Sequence, residues 1–220
     1  MKNLVSVKEM RDYESALFAK GISADIVMEN AGRLCAQELI NAYFNDGQTG
    51  QVSVFCGPGN NGGDGLVLAR CLLENRIAAV CYIMRPRGEY KPLVLKNIKR
   101  AFVCGLSVKE VESVKDVKAA IEKSFIAVDA VLGLGAAPET SPFLEDLCAA
   151  INTCKTVISI DGPTGVDMDS GKPYLKNAVK ATQTYTLGFI KKGLVVAAAK
   201  EYTGKLLLLD IFSQIGGNFK

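Results

Sequence analysis

Histidine is absent from all 220 residues, and that one gap removes whole reaction classes. Ser-His-Asp and Cys-His nucleophile systems, H-E-x-x-H zinc sites and imidazole acid/base chemistry are closed to this chain. Any proton transfer must use a carboxylate, lysine, tyrosine, cysteine or bound water. An excess of one charge is missing too: 26 basic and 23 acidic residues give a formal net charge of +3, spread along the chain with no strong footprint for nucleic acid. No apolar run approaches the roughly 20 residues that cross a bilayer. The start, Met1-Lys2-Asn3-Leu4-Val5, is too short for a signal-peptide core, and Glu9, Asp12 and Glu14 speak against a transit peptide; a cytoplasmic protein is expected. The seven cysteines (Cys35, Cys56, Cys71, Cys81, Cys104, Cys148, Cys154) contain no C-x-x-C and mostly lie among apolar neighbours, so they read as reduced core residues rather than a redox or zinc set.

What is present suits one globular domain over residues 1–220, since 49% of the chain is hydrophobic and no repeat, low-complexity tract or linker interrupts it. Ser6-Val7-Lys8-Glu9 reads as a capping box for a helix running towards Lys20, with Gly21 as its stop. A second helix follows Ser23, its Ile26, Val27, Ala31, Leu34, Cys35 and Leu39 falling at helical spacing. Apolar strands are expected at Gln51–Cys56, Ile77–Met84, Phe125–Leu132, Thr156–Ile160, Ala181–Leu187 and Lys205–Asp210. Helices are expected from about Asp64, over Val94–Cys104 and from Ser141-Pro142. Strands and helices alternate, and the strands are continuous apolar runs, as in a parallel sheet covered on both faces. The expected fold is therefore α/β: a three-layer α/β/α, Rossmann-like arrangement around a mostly parallel central sheet.

The run Phe55-Cys56-Gly57-Pro58-Gly59-Asn60-Asn61-Gly62-Gly63-Asp64-Gly65 is the most informative stretch. Five glycines in nine residues allow positive φ and close approach to a ligand, and the amides of the following helix would attract a phosphate. G-x-G-x-x-G alone is a weak signal. The two asparagines and Asp64 add amides and a carboxylate that simple dinucleotide binding does not need. Two more polar, glycine-bearing segments follow strands: Asp129-Ala130-Val131-Leu132-Gly133-Leu134-Gly135 and Asp161-Gly162-Pro163-Thr164-Gly165-Val166-Asp167. In such folds ligands sit beyond the carboxyl ends of the strands, so the three segments should converge on one pocket.

Together these segments resemble the NAD(P)H-hydrate epimerase family, the YjeF N-terminal-type domain, with its G-x-G-N-N-G-G-D-G, V-D-A-x-x-G-x-G and D-x-P-[ST]-G-V-D signatures. Val27-Met28-Glu29-Asn30-Ala31-Gly32 is similar to the family's L-M-E-x-A-G, and Thr184-Tyr185-Thr186-Leu187-Gly188-Phe189-Ile190-Lys191 to its T-x-T-F-G-x-x-K. The resemblance implies contacts to a hydrated dinucleotide from Asn60, Asn61, Gly62, Gly63, Asp64, from Gly133, Leu134, Gly135, Ala136, Ala137, Pro138, Glu139, and from Asp161. It also implies a potassium ion held by Asn61, Asp129 and Thr164, whose oxygens are hard ligands. A homodimer and a separate NAD(P)HX dehydratase acting on the same metabolites follow from it as well. The chain departs from the pattern at Gly162, where the family has a branched apolar residue, and in the continuation Ala136-Ala137-Pro138-Glu139-Thr140. The second, dehydratase-type domain is not in this sequence, so no ATP- or ADP-dependent dehydration is expected of it.

The implied substrate is NAD(P)H hydrated at nicotinamide C6, a hemiaminal. Protonating its hydroxyl lets the ring nitrogen expel water, and water re-enters the iminium carbon from either face. Asp161, at the end of an apolar strand where desolvation favours a protonated carboxyl, is the preferred acid/base, and Asp64 its competitor, with a helix N-terminus expected to favour its ionised form. Lys191 is a candidate to contact phosphate or steady charge near the ring, against the alternative that Lys191 and Lys192 are an exposed basic pair. Two rival functions remain: an NADP-dependent oxidoreductase reading a 2′-phosphate with Arg85 and Arg87, and a non-catalytic nucleotide- or RNA-binding scaffold on the same fold.

Overall fold

The protein was analysed as a computed structural model, which describes residues 4–85, 89–111, 113–134, 140–213 and 215. After β1 (Leu4–Val5), helix α1 (Val7–Ala19) opens on the expected capping box. The Glu9 amide donates to Ser6 Oγ at 3.2 Å, while the Ser6 amide donates to Glu9 Oε2 at 2.7 Å, so two otherwise orphaned N–H groups are satisfied reciprocally. Gly21, at φ 87°, turns the chain, and Ser23 caps α2 (Ala24–Tyr43) through the Asp25 amide.

The rest alternates: β2 (Gln51–Cys56), α3 (Asn60–Glu74), β3 (Ala79–Met84), α4 (Pro92–Val103), β4 (Ser107–Val111), α5 (Val114–Ile121), β5 (Ser124–Ala130), α6 (Pro142–Ile151), β6 (Val157–Ile160) and β7 (Gln183–Leu187). Then come β8 (Ile190–Lys191), two short 3₁₀ turns, α7 (Lys200–Thr203) and β9 (Lys205–Leu209). Seven strands form one parallel sheet in the order β4-β3-β2-β5-β6-β7-β9. The two-residue strands β1 and β8 pair parallel to each other apart from it, with Leu4 beside Ile190 and Val5 beside Lys191.

Both faces of the sheet are covered, giving the three layers expected. Val52, Val54 and Cys56 of β2 pack with α2, α3 and α4, whereas Phe55 points to the face that carries α5 and α6. Burial on both faces is why β2, β5 and β6 are mostly apolar rather than alternating, with Ser53, Asp129 and Ser159 as buried polar exceptions. The pair β4 and α5 was not expected: β4 is an edge strand whose Ser107, Lys109 and Glu110 are exposed, so it has no apolar run to betray it.

Chain order reverses across the sheet between β2 and β5, since β3 and β4 lie to one side of β2 and every later strand of the sheet to the other. A crevice opens at such a switch point, outside the carboxyl ends of the strands. The three glycine-bearing segments leave β2, β5 and β6, which are adjacent, at that place.

Candidate active site

The glycine run is shorter as a loop than the sequence suggests. Only Gly57, Pro58 and Gly59 connect β2 to α3, and Asn60, Asn61, Gly62, Gly63 and Asp64 are already helical. None of the run's five glycines has positive φ. For all but Gly59 the reason is close packing: a Cβ on Gly57 would collide with the Val131 carbonyl oxygen and one on Gly62 with that of Gly57, one on Gly63 would sit 2.5 Å from Met28 Sδ, and one on Gly65 2.6 Å from Ala130 Cβ. The helix start is thereby pressed against the ends of β2 and β5 and against α2.

Asn60, Asn61, Asp64, Gly133, Leu134 and Asp161 line one pocket of about 110 Å³, together with Met10, Glu14 and Phe18 of α1 and Val27 and Met28 of α2. The expected convergence is therefore present for those residues. Gly135, Ala136, Ala137, Pro138 and Glu139 lie outside the described residues.

Asp161 follows β6 in the left-handed region, at φ 67°, a conformation that costs a residue with a side chain roughly 1–2 kcal/mol. Its amide donates to the Tyr185 carbonyl at 2.7 Å, and its carboxylate is salt-bridged to Lys191. Lys191 has no exposed surface; its Nζ donates to Asp161 Oδ1, to the Leu187 carbonyl at 2.8 Å and to Thr186 Oγ1 at 3.4 Å. The basic pair of the sequence is thus split. Lys192 is exposed and lies 3.6 Å from Asp169, whereas the buried Lys191 ammonium faces the Asp161 carboxylate.

Asp64 corrects a second expectation. It is the fifth residue of α3, a turn beyond the free amides, so the helix N-terminus gives it little help. Burial pushes its carboxyl well above the usual range, and the neighbouring Asp161 and Glu14 push the same way against a smaller opposing pull from Lys191. Glu14 was not singled out as a site residue. Burial, then Asp161, raises its carboxyl as well, with Lys191 and Arg11 opposing. A signal was available: Glu14 stands between Met10 and Leu17 on the face of α1 that is otherwise buried, an unusual place for a carboxylate. Among the described residues neither Asp64 nor Glu14 has a hydrogen bond or ion pair.

Beneath the pocket, Asp129 is fully buried. Its Oδ1 accepts from Thr164 Oγ1 at 2.7 Å and the Val131 amide at 3.2 Å, and its Oδ2 accepts from the Thr164 amide at 2.8 Å and Ser159 Oγ at 2.9 Å. Burial raises this carboxyl while those bonds oppose the shift. Thr164 Oγ1 also accepts from the Leu132 amide at 3.1 Å, tying the second segment to the third. Asn61 differs: its Oδ1 and Nδ2 are both buried and have no partner among the described residues. An unsatisfied amide of this kind costs about 1–3 kcal/mol; an alkali cation fits its Oδ1, and the Nδ2 donor needs an acceptor of its own. With both Asp129 oxygens already accepting two bonds each, Asn61 Oδ1 is the expected ligand with free capacity.

Gly162, the departure from the family signature, has its explanation here: a Cβ on it would run into Met168 Cε. Met168, 4% exposed, fills the space that a branched side chain would take.

A family model described as the YjeF-related protein N-terminus matches residues 24–193. The chain belongs to this family. The NAD(P)H-hydrate epimerase of Elusimicrobium minutum (strain Pei191) is 40% identical over 216 residues, 96% of each chain. That of Limosilactobacillus reuteri (strain ATCC 55730 / SD2112) is 30% identical over 94% of each. The bifunctional NAD(P)H-hydrate repair enzyme Nnr of Thermosynechococcus vestitus is 33% identical over 94% of this chain but 39% of its own length, so the chain spans about two fifths of such bifunctional relatives. The crystal structure of yeast ynu0, YNL200c, superposes with a TM-score of 0.78 at 25% identity, over 94% of this chain and 87% of that one. In this member of the YjeF N-terminal family, α1 precedes the matched region, so Glu14 and the rest of the pocket's cover lie where the family model is silent.

Proposed function

We propose that this chain interconverts the R and S forms of hydrated NADH and NADPH at nicotinamide C6, a repair reaction without redox chemistry. The observation that carries the reading is the pocket at the switch point, where three carboxylates, Glu14, Asp64 and Asp161, meet one lysine. Asp161 is paired with Lys191, while burial raises the carboxyls of Asp64 and Glu14 against the opposing pull of Lys191 and, at Glu14, Arg11, so the site holds a proton ready to deliver. An oxidoreductase has no use for that set.

Asp161, its charge matched by Lys191, is placed to stabilise the positive charge that develops at the iminium carbon. Asp64, whose carboxyl is pushed up, gives its proton to the C6 hydroxyl, and the ring nitrogen's lone pair expels water. This reverses the order preferred from sequence; what supports the reversal is the salt bridge at Asp161 and the lack of one at Asp64. Positioned acid/base groups of this kind contribute about 10²–10⁴-fold.

The reading includes a potassium ion held by Asn61, Asp129 and Thr164; such an ion would supply positive charge near the dinucleotide. It also includes a homodimer, cytoplasmic residence and a separate dehydratase acting on the same metabolites, the last supported by relatives named bifunctional repair enzymes. No described helix is long and apolar enough to cross a membrane.

The test follows the R and S epimers of NADHX and NADPHX by chiral chromatography or NMR, with and without protein, in potassium buffer. Rapid equilibration is expected. No acceleration over the spontaneous rate, together with tight RNA binding, would instead favour the scaffold function.

A further inference from the structure

Epimerisation at C6 needs chemistry on both faces of one ring: water departs from one side and enters from the other. A single carboxyl would have to cross the ring, or the ring would have to turn over. The pocket is lined from several directions, by α1, α2, α3 and the segments that follow β5 and β6, so groups on different walls face one space. A second acid/base group on a different wall removes the difficulty.

Glu14 meets that need. It reaches the pocket from α1, whereas Asp64 comes from α3 and Asp161 from the end of β6. Its helix is fixed in three ways. The Val7 amide donates to Asp169 Oδ1 at 3.0 Å, Arg11 Nη2 donates to the Leu134 carbonyl at 2.6 Å, and Tyr13 stacks edge-on against Phe189 with ring centroids 4.9 Å apart. The charged groups acting on Glu14 are Asp161 and Lys191 from the sheet side and Arg11 on its own helix, and Asp64 couples to it from α3. Arg11 is committed to Leu134, so Glu14 is left with no hydrogen bond or ion pair among the described residues.

We propose that Glu14 is a second catalytic acid/base, serving the ring face turned towards α1 while Asp64 serves the other. This rests on the epimerase reading above. In one direction Asp64 donates its proton to the hydroxyl, the C6–O bond breaks with its electron pair leaving in water, and the nitrogen lone pair forms the C=N bond. A water on the other face then bonds C6 as the C=N pair returns to nitrogen, and its proton passes to Glu14. The cycle ends with Asp64 ionised and Glu14 protonated, which is the state that runs the reverse reaction. No oxidant or reductant enters.

The test uses single epimers of NADHX in H₂¹⁸O, scoring both label uptake and inversion. Wild-type enzyme should label both epimers. Glu14→Gln should lose inversion by about 10²-fold or more yet still label the one epimer whose hydroxyl faces Asp64. Inversion at the wild-type rate, or equal loss of labelling and inversion in a variant with wild-type circular dichroism and melting temperature, overturns the assignment. Glu14→Asp keeps a carboxylate and should recover part of the inversion; a folded Glu14→Asp no better than Glu14→Gln also counts against it. Wild-type protein that neither labels nor inverts would remove the epimerase reading itself, a different failure.

Discussion

Lys191, with no exposed surface, donates to Oδ1 of Asp161, a side chain held in place by a left-handed backbone 30 residues earlier in the chain. Removing one partner of a buried pair strands the other charge, at a cost of about 3–5 kcal/mol. Lys191→Met should therefore lower the unfolding free energy measured by urea denaturation by that amount and abolish turnover. Lys191→Met with Asp161→Asn should recover much of the stability and none of the activity. Equal stability of the single and double variants would refute the pairing.

Asp64 carries a pH signature. Its carboxyl is raised in the folded protein, first by burial, then by Asp161 and Glu14, with Lys191 opposing. A carboxyl raised on folding binds its proton more tightly in the native state, so its contribution to stability is complete below the ordinary value of 3.8 and is lost as pH rises through the raised value. Asp64→Asn should thus melt higher than wild type above about pH 5 and draw level towards pH 3. Its turnover should fall by about 10²–10⁴-fold. Melting temperature against pH for both proteins decides the first point, and single-epimer kinetics the second.

Asn61 predicts a cation effect readable without substrate. Wild type should melt higher in potassium than in choline buffer, by the equivalent of about 2.7 kcal/mol at one hundred times the dissociation constant. Asn61→Leu removes two buried, unpartnered polar atoms, so it should be as stable as wild type or more so in choline and indifferent to potassium. A potassium response kept intact in Asn61→Leu would place the ion elsewhere.

Gly162 and Met168 should behave as one unit. Gly162→Val alone overfills the space and should cost about 1–3 kcal/mol. Met168→Ala alone empties it, for about 2–5 kcal/mol. Combined, the two should cost less than their sum by about 0.5–3 kcal/mol. Strict additivity in denaturation would show that Met168 does not fill the place of the family's branched residue.

How far the sequence was legible depended on whether a feature was local. The Ser6 and Ser23 caps, the bounds of β2 and the Ser141-Pro142 helix start rest on residues three or four positions apart, and they are where expected. The edge strand β4 escaped because exposure on its outer side permits Ser107, Lys109 and Glu110. The glycines of residues 57–65 were read through backbone freedom, but what they avoid are atoms of Val131, Met28 and Ala130, contacts that only tertiary structure brings. Lys191 and Lys192 look alike in sequence; Lys191 ends β8 buried, whereas Lys192 opens the following 3₁₀ turn and is exposed. The Asp161–Lys191 bridge spans 30 positions, and Glu14 enters through a helix placed by contacts more than a hundred residues away.

The pairing of Leu4–Val5 with Ile190–Lys191 also sets an order of events during synthesis. A chain emerging from the ribosome can lay down β2, α3 and β3 from neighbouring residues, but the β1–β8 pairing and the Asp161–Lys191 bridge must wait until residue 191 has emerged. Contacts of such sequence separation form slowly because a long loop must close first. The proton-handling groups are therefore gathered last, and a nascent chain spends most of its synthesis with its sheet growing and its chemistry switched off.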